Sequence, residues 1–261
     1  MAPLPLTTPT ALLIDLDGVI YLREKLIPGA IETIHYIQRK KIPHRFVTNT
    51  STFSRCQVLA KLAHVGIVVS PADLFTAPIA AAQYLRAVPD ARCYFFASPN
   101  LREDFAGIAG VKEHPTHVVI GDVGKRFSYS AMNRVFRMVL DGAEMIALQK
   151  NRFWITPEGL TLDAGAFVTA LEYATGKEAR LFGKPSVEFF LQACESLQCS
   201  PTEVIMVGDD LKADIAGGAG AGLQTVFIRT GKDKDTSLDD LEYSPDVVLR
   251  SIAELPAILE E

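Results

Sequence analysis

The chain predicts an α/β fold: a Rossmann-like parallel-sheet core with a smaller α/β domain inserted into it. Three observations carry this. Short apolar runs bounded by turn residues alternate with amphipathic helical stretches, the pattern of strand–helix–strand units. Three of the runs end in polar residues: Ala11–Leu16 at Asp15 and Asp17, Arg45–Val47 at Thr48 and Asn49, and Val204–Gly208 at Asp209 and Asp210. The middle of the chain changes texture before the first pattern resumes near Phe182. The expected division is therefore residues 1–77 and 182–261 as core, with 78–181 as the insertion.

The first strand, Ala11–Leu16, leads through a loop to a helix over Pro28–Lys40 with Ile31, Ile34 and Ile37 inward. Arg45–Val47 forms the second strand. A second helix runs to Val65, with Phe53, Cys56, Leu59, Leu62 and Ala63 expected to face the core and Gly66 as its stop. Inside the insertion, Cys93–Ala97 and His117–Gly121 read as strands. The spacing of Met132, Val135, Phe136, Val139 and Leu140 predicts a helix over Ser128–Gly142. Met145–Leu148 is a further strand, and Phe153–Thr156, the Pro157-Glu158-Gly159 turn and Leu160–Leu162 read as a hairpin. Asp163–Ala166 reads as a loop after it. The core pattern returns with a helix opened by Pro185, carrying Val187, Phe190, Leu191, Cys194 and Leu197 on one side. Strand Val204–Gly208, a Gly- and Ala-rich helix over Asp214–Gly222 and strand Thr225–Ile228 follow. Ser251–Glu254 has the form of a capping box opening the last helix.

Bulk properties narrow the class. The 261 residues are 48% hydrophobic and 22% charged, with a formal net charge of −5, so no basic surface argues for nucleic acid or an anionic membrane. No apolar stretch approaches the ~20 residues of a membrane helix. The Pro- and Thr-containing start lacks a basic segment and an apolar core and reads as an extended tail rather than a secretory signal. Four cysteines without Cys-x-x-Cys spacing fit a reducing, cytoplasmic setting. Cys56 and Cys194 are expected on buried helix faces.

The polar strand ends carry the chemistry. Side chains alternate along a strand, so Asp15 and Asp17 project toward one side at its carboxyl end, where open parallel sheets bind ligands. Alone, Asp-x-Asp-Gly also suits a calcium loop, a nucleotide-sugar metal site or a plain turn. If the three strands are parallel neighbours, however, Asp15, Asp17, Thr48, Asn49, Asp209 and Asp210 meet at one edge, with Lys184 at the start of the helix that Pro185 opens. Hard carboxylate oxygens suit Mg²⁺ bound together with a substrate phosphate. One carboxylate can attack phosphorus while a second shuttles the leaving-group proton. Lysine, hydroxyl and backbone N–H groups match the charge on the equatorial oxygens.

Four segments then resemble the motifs of the haloacid dehalogenase superfamily, in the branch with a C2-type α/β cap (subclass IIA): Asp15-Leu16-Asp17-Gly18, Val47-Thr48-Asn49-Thr50, Gly183-Lys184-Pro185 and Gly208-Asp209-Asp210 through Asp214. The resemblance implies a Mg²⁺-dependent phosphatase acting on a phosphorylated small molecule, with Asp15 as nucleophile and Asp17 as general acid/base. It implies phosphate binding by Thr48, Asn49, Thr50 and Lys184, and metal ligation by Asp15, the Asp17 carbonyl and Asp209. Asp210 and Asp214 are given supporting roles, Asp214 orienting the metal shell and Lys184. The segments Phe127–Tyr129, Ala166–Ala174 and Gly183–Phe190 are similar to the phosphatases of phospholysine, phosphohistidine and pyrophosphate and their hydrolase-domain relatives. Some of those carry Ser or Gly where this chain has Asp17, so general acid catalysis on an ester is better supported here. Caps of this size in relatives supply a dimer surface, so a homodimer through the cap is expected.

The remaining features have plainer readings. His114 and His117, with Pro115 between them, read as a loop entering a strand rather than a metal pair. Trp154 reads as packing of the inserted domain, and the acidic stretch Asp233–Glu242, which has no apolar period, as a solvated loop. Asp163–Ala166 divides evenly between a substrate-contacting loop and a plain turn. A phosphomutase would share the acids but not this insertion, a haloacid dehalogenase would lack Asp17, and a phosphate-binding scaffold would show no turnover.

Overall fold

The computed structural model describes residues 11–22, 25–156, 159–239 and 241–260. In chain order its elements are β1 (Ala11–Asp15), β2 (Tyr21–Leu22), β3 (Lys25–Leu26), α1 (Ala30–Arg39), β4 (His44–Thr48), α2 (Arg55–His64), β5 (Leu74–Thr76) and α3 (Ala77–Ala87). There follow β6 (Arg92–Phe96), β7 (Ala109–Gly110), β8 (His117–Ile120), α4 (Tyr129–Leu140), β9 (Glu144–Ala147), β10 (Phe153–Thr156), β11 (Gly159–Leu162), α5 (Ala164–Thr175) and β12 (Arg180–Leu181). The chain ends with α6 (Val187–Leu197), β13 (Val204–Gly208), α7 (Gly217–Gly220), β14 (Gln224–Ile228), β15 (Val247–Leu249) and α8 (Leu255–Ile258).

Two compact units divide the chain. One takes it up to Thr48, then Leu59–Phe75 and Lys184 onward; the other takes Asn49–Val58 and Thr76–Gly183. The second unit thus includes a short segment after β4 that lies well before the expected insertion at 78–181.

The first unit holds a six-stranded sheet ordered β15-β14-β13-β1-β4-β5, in which β1 pairs parallel with both β13 and β4. Numbered within this sheet, the order is 3-2-1-4-5-6 from the β5 edge, that of a doubly wound Rossmann-like fold. Leu12, Leu13 and Ile14 of β1 and Val204–Val207 of β13 are fully buried, so these central strands read as unbroken apolar runs. The strand order reverses between β1 and β13, and in sheets of this kind ligands bind beyond the carboxyl ends at that switch. Thr33, Ile34 and Ile37 form the buried stripe of α1, with Ile31 only half-buried.

The second unit has its own parallel sheet, β12-β9-β8-β6-β7, which is 2-1-3-4-5 from the β7 edge. Its topological switch lies between β6 and β8. At that edge Ser51 Oγ accepts from Asp122 N at 3.0 Å, and Thr52 O accepts from Ser98 Oγ at 3.0 Å and Asn100 Nδ2 at 2.9 Å. These bonds explain why the segment after β4 belongs with this unit. Val135 and Val139 of α4 pack with Val118, Ile120, Met145, Val168 and Leu171, and Phe127 stacks on Phe167 at 3.9 Å.

Several expectations need correction. In α2 the inward residues are Val58 and Leu62, whereas Phe53, Cys56 and Ala63 are exposed and Leu59 is half-buried. Leu140 of α4 is exposed. In α6 the buried side is Phe189, Phe190, Ala193 and Cys194, with Val187 and Leu191 outward. In α2 and α6 several turns carry apolar residues on two sides, so apolar spacing alone does not fix the rotation of the helix. The stretch expected as one helix over Asp214–Gly222 begins at Leu211 as a wide turn to Ala216 and continues only to Gly220. Ser251 caps the last turns through Ala253 N at 3.4 Å, while Glu254 bonds Arg250 N at 2.9 Å, so the reciprocal box is not formed.

The hairpin pairs Phe153 with Leu162 and Trp154 with Thr161. Its Pro157-Glu158 turn and the N-terminal tail lie outside the described residues. Asp163–Ala166 is not a loop. Asp163 caps α5 by accepting from Ala164 N at 2.6 Å, and Ala164 and Gly165 are buried. No helix among the described residues is long and apolar enough to cross a membrane.

Candidate active site

Register puts Ile14 of β1 opposite Val207 of β13 and Asp15 opposite Val47 of β4. Asp15 therefore ends its strand between Thr48 on one side and Gly208-Asp209 on the other, at the topological switch of the first unit. Lys184 Nζ lies 2.6 Å from Asp15 Oδ1 and 2.6 Å from Asp214 Oδ1. Asp15, Asp209 and Asp214 each offer an oxygen within 4.8 Å of the others. All three acids and Lys184 are buried. Three carboxylates faced closely by one ammonium leave an excess of negative charge where water cannot screen it.

The electrostatics follow. Burial raises the Asp15 carboxyl pKa and Asp17 adds to it, while Lys184 opposes both. Burial, Asp15 and Asp214 push Asp209 up to about 9, and burial pushes Asp214 up to about 7 against the pull of Lys184. Burial works against the charge on Lys184, but Asp15 and Asp214 outweigh it and hold the ammonium protonated. Asp17 is solvent-exposed at its edge. The protein around it raises its pKa against Lys61 and Lys184, the direction a proton donor needs.

Local sequence explains how the fourth motif is held. Asp210 Oδ1 accepts from Lys212 N at 3.0 Å and Ala213 N at 2.8 Å, starting the wide turn Leu211–Ala216. That turn wraps Asp214 back beneath the strand end, where its Oδ2 accepts from Asp209 N at 3.2 Å and Asp210 N at 3.1 Å. A side chain at Gly208 would fall on the Asp214 carboxylate, so glycine is required there. Asp210 Oδ2 pairs with Lys232 Nζ at 2.6 Å, and although burial opposes ionisation, Lys232 and the cap N–H groups hold its pKa below the usual value. Asp210 is thus a helix cap and an ion-pair partner. Asp214 is committed to Lys184 and two backbone N–H groups, which leaves Asp15 and Asp209 as the acids placed to bind a cation.

Thr48 is buried at the end of β4 in the first unit. Asn49 and Thr50 continue from it but belong to the second unit, where a Cβ on Gly183 would meet the Leu148 carbonyl and the Asn49 side chain. The residue before Lys184 therefore packs against the residue after Thr48.

Sequence reasoning missed the segment after β14. Lys232 N donates to Asp209 Oδ2 at 2.6 Å, Thr230 Oγ1 donates to Gly18 O at 2.5 Å, and Asp233 Oδ2 accepts from Leu211 N at 2.8 Å. Leu238 and Leu241 pack on Leu211, Ile215 and Phe227, so part of the expected solvated acidic loop is anchored to the core. A signal for it was present: Thr230-Gly231 follows a fourth parallel strand, whose carboxyl end must reach the same edge.

His117 is buried in β8, bonded to Thr116 and 3.5 Å from Glu144, while His114 sits in a turn with positive φ. They do not form a metal pair. Trp154 is half exposed.

Residues 12–110 match the family described as haloacid dehalogenase-like hydrolase, and residues 181–255 match one described as HAD-hydrolase-like. Haloacid dehalogenase-like hydrolase domain-containing protein 2 of Bos taurus is 36% identical over 235 residues, 90% of each chain. The chain belongs to the haloacid dehalogenase-like hydrolases. This hydrolase is also 34% identical over 256 residues to a phospholysine phosphohistidine inorganic pyrophosphate phosphatase of Xenopus laevis, covering 95% of this chain and 94% of that one. Its fold superposes on a p-nitrophenyl phosphatase from Archaeoglobus fulgidus with a TM-score of 0.90, at 27% identity, over 97% of this chain and 99% of that one. It is an enzyme of the family's phosphatase kind.

Proposed function

We propose that this hydrolase cleaves a phosphorylated small molecule through an aspartyl phosphate on Asp15, with Mg²⁺ as cofactor. The observation that carries the reading is the buried Asp15 carboxylate, 2.6 Å from Lys184 at the topological switch of its sheet and beside Asp209. The donor set suits Mg²⁺: hard carboxylate oxygens from Asp15 and Asp209, with the Asp17 carbonyl, leave positions for water and phosphate. When bound, the ion offsets the carboxylate charge and polarises the phosphoryl oxygens.

In the first half-reaction an Asp15 oxygen attacks phosphorus, a P–O bond forms and the bond to the leaving oxygen breaks. Asp17, its pKa raised, gives that oxygen a proton. In the second half-reaction Asp17 takes a proton from water, which attacks the phosphoryl phosphorus of the acyl phosphate and frees Asp15. Lys184 and Thr48 match the charge on the equatorial oxygens. A phosphoramidate or pyrophosphate bond fits the same steps, and the relative named for such substrates makes them part of the panel to screen. A cytoplasmic enzyme and a homodimer built through the second unit complete the reading. Phe153, Leu160 and Leu162 are exposed together on one face of the hairpin and suit that contact.

The test is p-nitrophenyl phosphate hydrolysis with Mg²⁺ and with EDTA, alongside Asp15→Asn. Turnover is expected only with the metal, and the variant should fall at least roughly a thousandfold while staying folded. Near wild-type turnover by a folded Asp15→Asn protein would overturn the assignment.

A further inference from the structure

The segment Thr230–Asp233 touches the site at four points. Lys232 N occupies Asp209 Oδ2 at 2.6 Å, so Oδ1 is the oxygen left for a cation. Asp233 N approaches the Asp209 carbonyl at 3.4 Å, and Lys232 Nζ holds Asp210 at 2.6 Å. Thr230 Oγ1 bonds the Gly18 carbonyl at 2.5 Å, tying this segment to the loop that carries Asp17.

Sterics make the arrangement tight. Gly18 has φ +90, and a Cβ on it would land on the Asp209 carboxylate. A Cβ on Gly231 would strike the same carboxylate from another direction and lie 2.8 Å from Gly18 Cα. Asp209 is therefore clamped between two glycine backbones, with one oxygen fixed by an N–H. Fixing one oxygen of a ligating carboxylate sets where the other points, and outer partners of this kind typically change metal affinity by about 10–100-fold when removed.

We propose that Thr230-Gly231-Lys232-Asp233 is a positioning strap that presents Asp209 to the metal and so sets metal affinity. This rests on the metal-centre reading given above. The strap's contacts end on Asp209, Asp210 and Gly18, and it acts through them.

The experiment is Mn²⁺ binding to the purified full chain without substrate, read as free ion by electron paramagnetic resonance, with metal-free melting measured in parallel. Thr230→Val removes one hydrogen bond at nearly constant volume, Gly231→Ala drives a Cβ toward Asp209, and Asp209→Ala removes the ligand. Thr230→Val and Gly231→Ala should each bind Mn²⁺ about tenfold or more weakly. Thr230→Ser should restore affinity, and metal-free melting of Thr230→Val should fall by no more than the about 2–4 °C that one lost hydrogen bond costs. Wild-type affinity in Thr230→Val, with binding lost in Asp209→Ala, would overturn the strap and leave the metal centre standing. Wild-type affinity in Asp209→Ala would overturn the metal centre itself. Should Gly231→Ala fail to fold, the Thr230 pair decides alone.

Discussion

Replacing Lys184 with methionine removes the ammonium lying within 2.6 Å of both Asp15 and Asp214 while nearly preserving its volume. Breaking a buried ion pair by deleting one partner costs about 3–5 kcal/mol, because the remaining charges stay buried without compensation. Here the remaining groups can escape by taking up protons, which makes the loss depend on pH. Asp214 and Asp209 already stand at about 7 and about 9 with Lys184 present, and without it both rise further. A carboxyl whose folded pKa exceeds its unfolded value binds more protons in the native state. Its contribution to stability is greatest at low pH and falls as pH rises toward the folded pKa, by up to about 1.4 kcal/mol per pH unit for each extra proton. In metal-free buffer Lys184→Met should therefore cost little near pH 5 and on the order of 3–5 kcal/mol near pH 8. Urea unfolding of both proteins across that range, followed by circular dichroism, measures it. Turnover with Mg²⁺ should fall by roughly a hundred- to a thousandfold, as expected when a donor to the transferring group is lost. A stability loss equal at pH 5 and pH 8, or none at pH 8, would refute the placement of Lys184 between two ionised acids.

Asp17→Asn should slow hydrolysis of an alkyl phosphate by about a hundredfold or more but p-nitrophenyl phosphate much less, since nitrophenolate leaves without a proton. Parallel kcat/KM measurements on the two esters, which report transfer to Asp15 and not the later water step in which Asp17 is the base, check this, and equal losses would contradict a donor role. Mg²⁺ affinity should rise from pH 6 to pH 8.5, because the ion must displace the proton held on Asp209 below about 9. Calorimetric titration at both pH values decides it, and a flat or falling affinity would contradict that raised carboxyl. Ala164→Leu, at a fully buried position in the first turn of α5, should lower stability by about 1–3 kcal/mol through overpacking. A melting point unchanged from wild type would show that the position has room.

The local pattern of residues determined which segments become strands and which polar groups end them. Buried central strands need unbroken apolar runs, and such runs stop visibly, as at Asp15 and Asp209. The order of four short motifs then fixed the family. Tertiary structure alone decided the rest. Helix rotation in α2 and α6 was not legible, because several apolar residues compete for the inward side and only packing against a particular sheet chooses among them. The division of labour within Asp209-Asp210-Asp214 was equally hidden. It depends on a wide turn that folds Asp214 beneath two N–H groups and on Lys232, 22 residues along the chain from Asp210, claiming that acid. Asp163 became a helix cap rather than a loop residue because Ala164 and Gly165 bury against their own unit. Periodicity records what a segment can bury, whereas contacts between residues distant in the chain depend on which surfaces the completed sheet brings together. For that reason the strand end at Asp15 was readable from sequence, while the contacts of Thr230 and Lys232 to Gly18 and Asp209 became visible only in the fold.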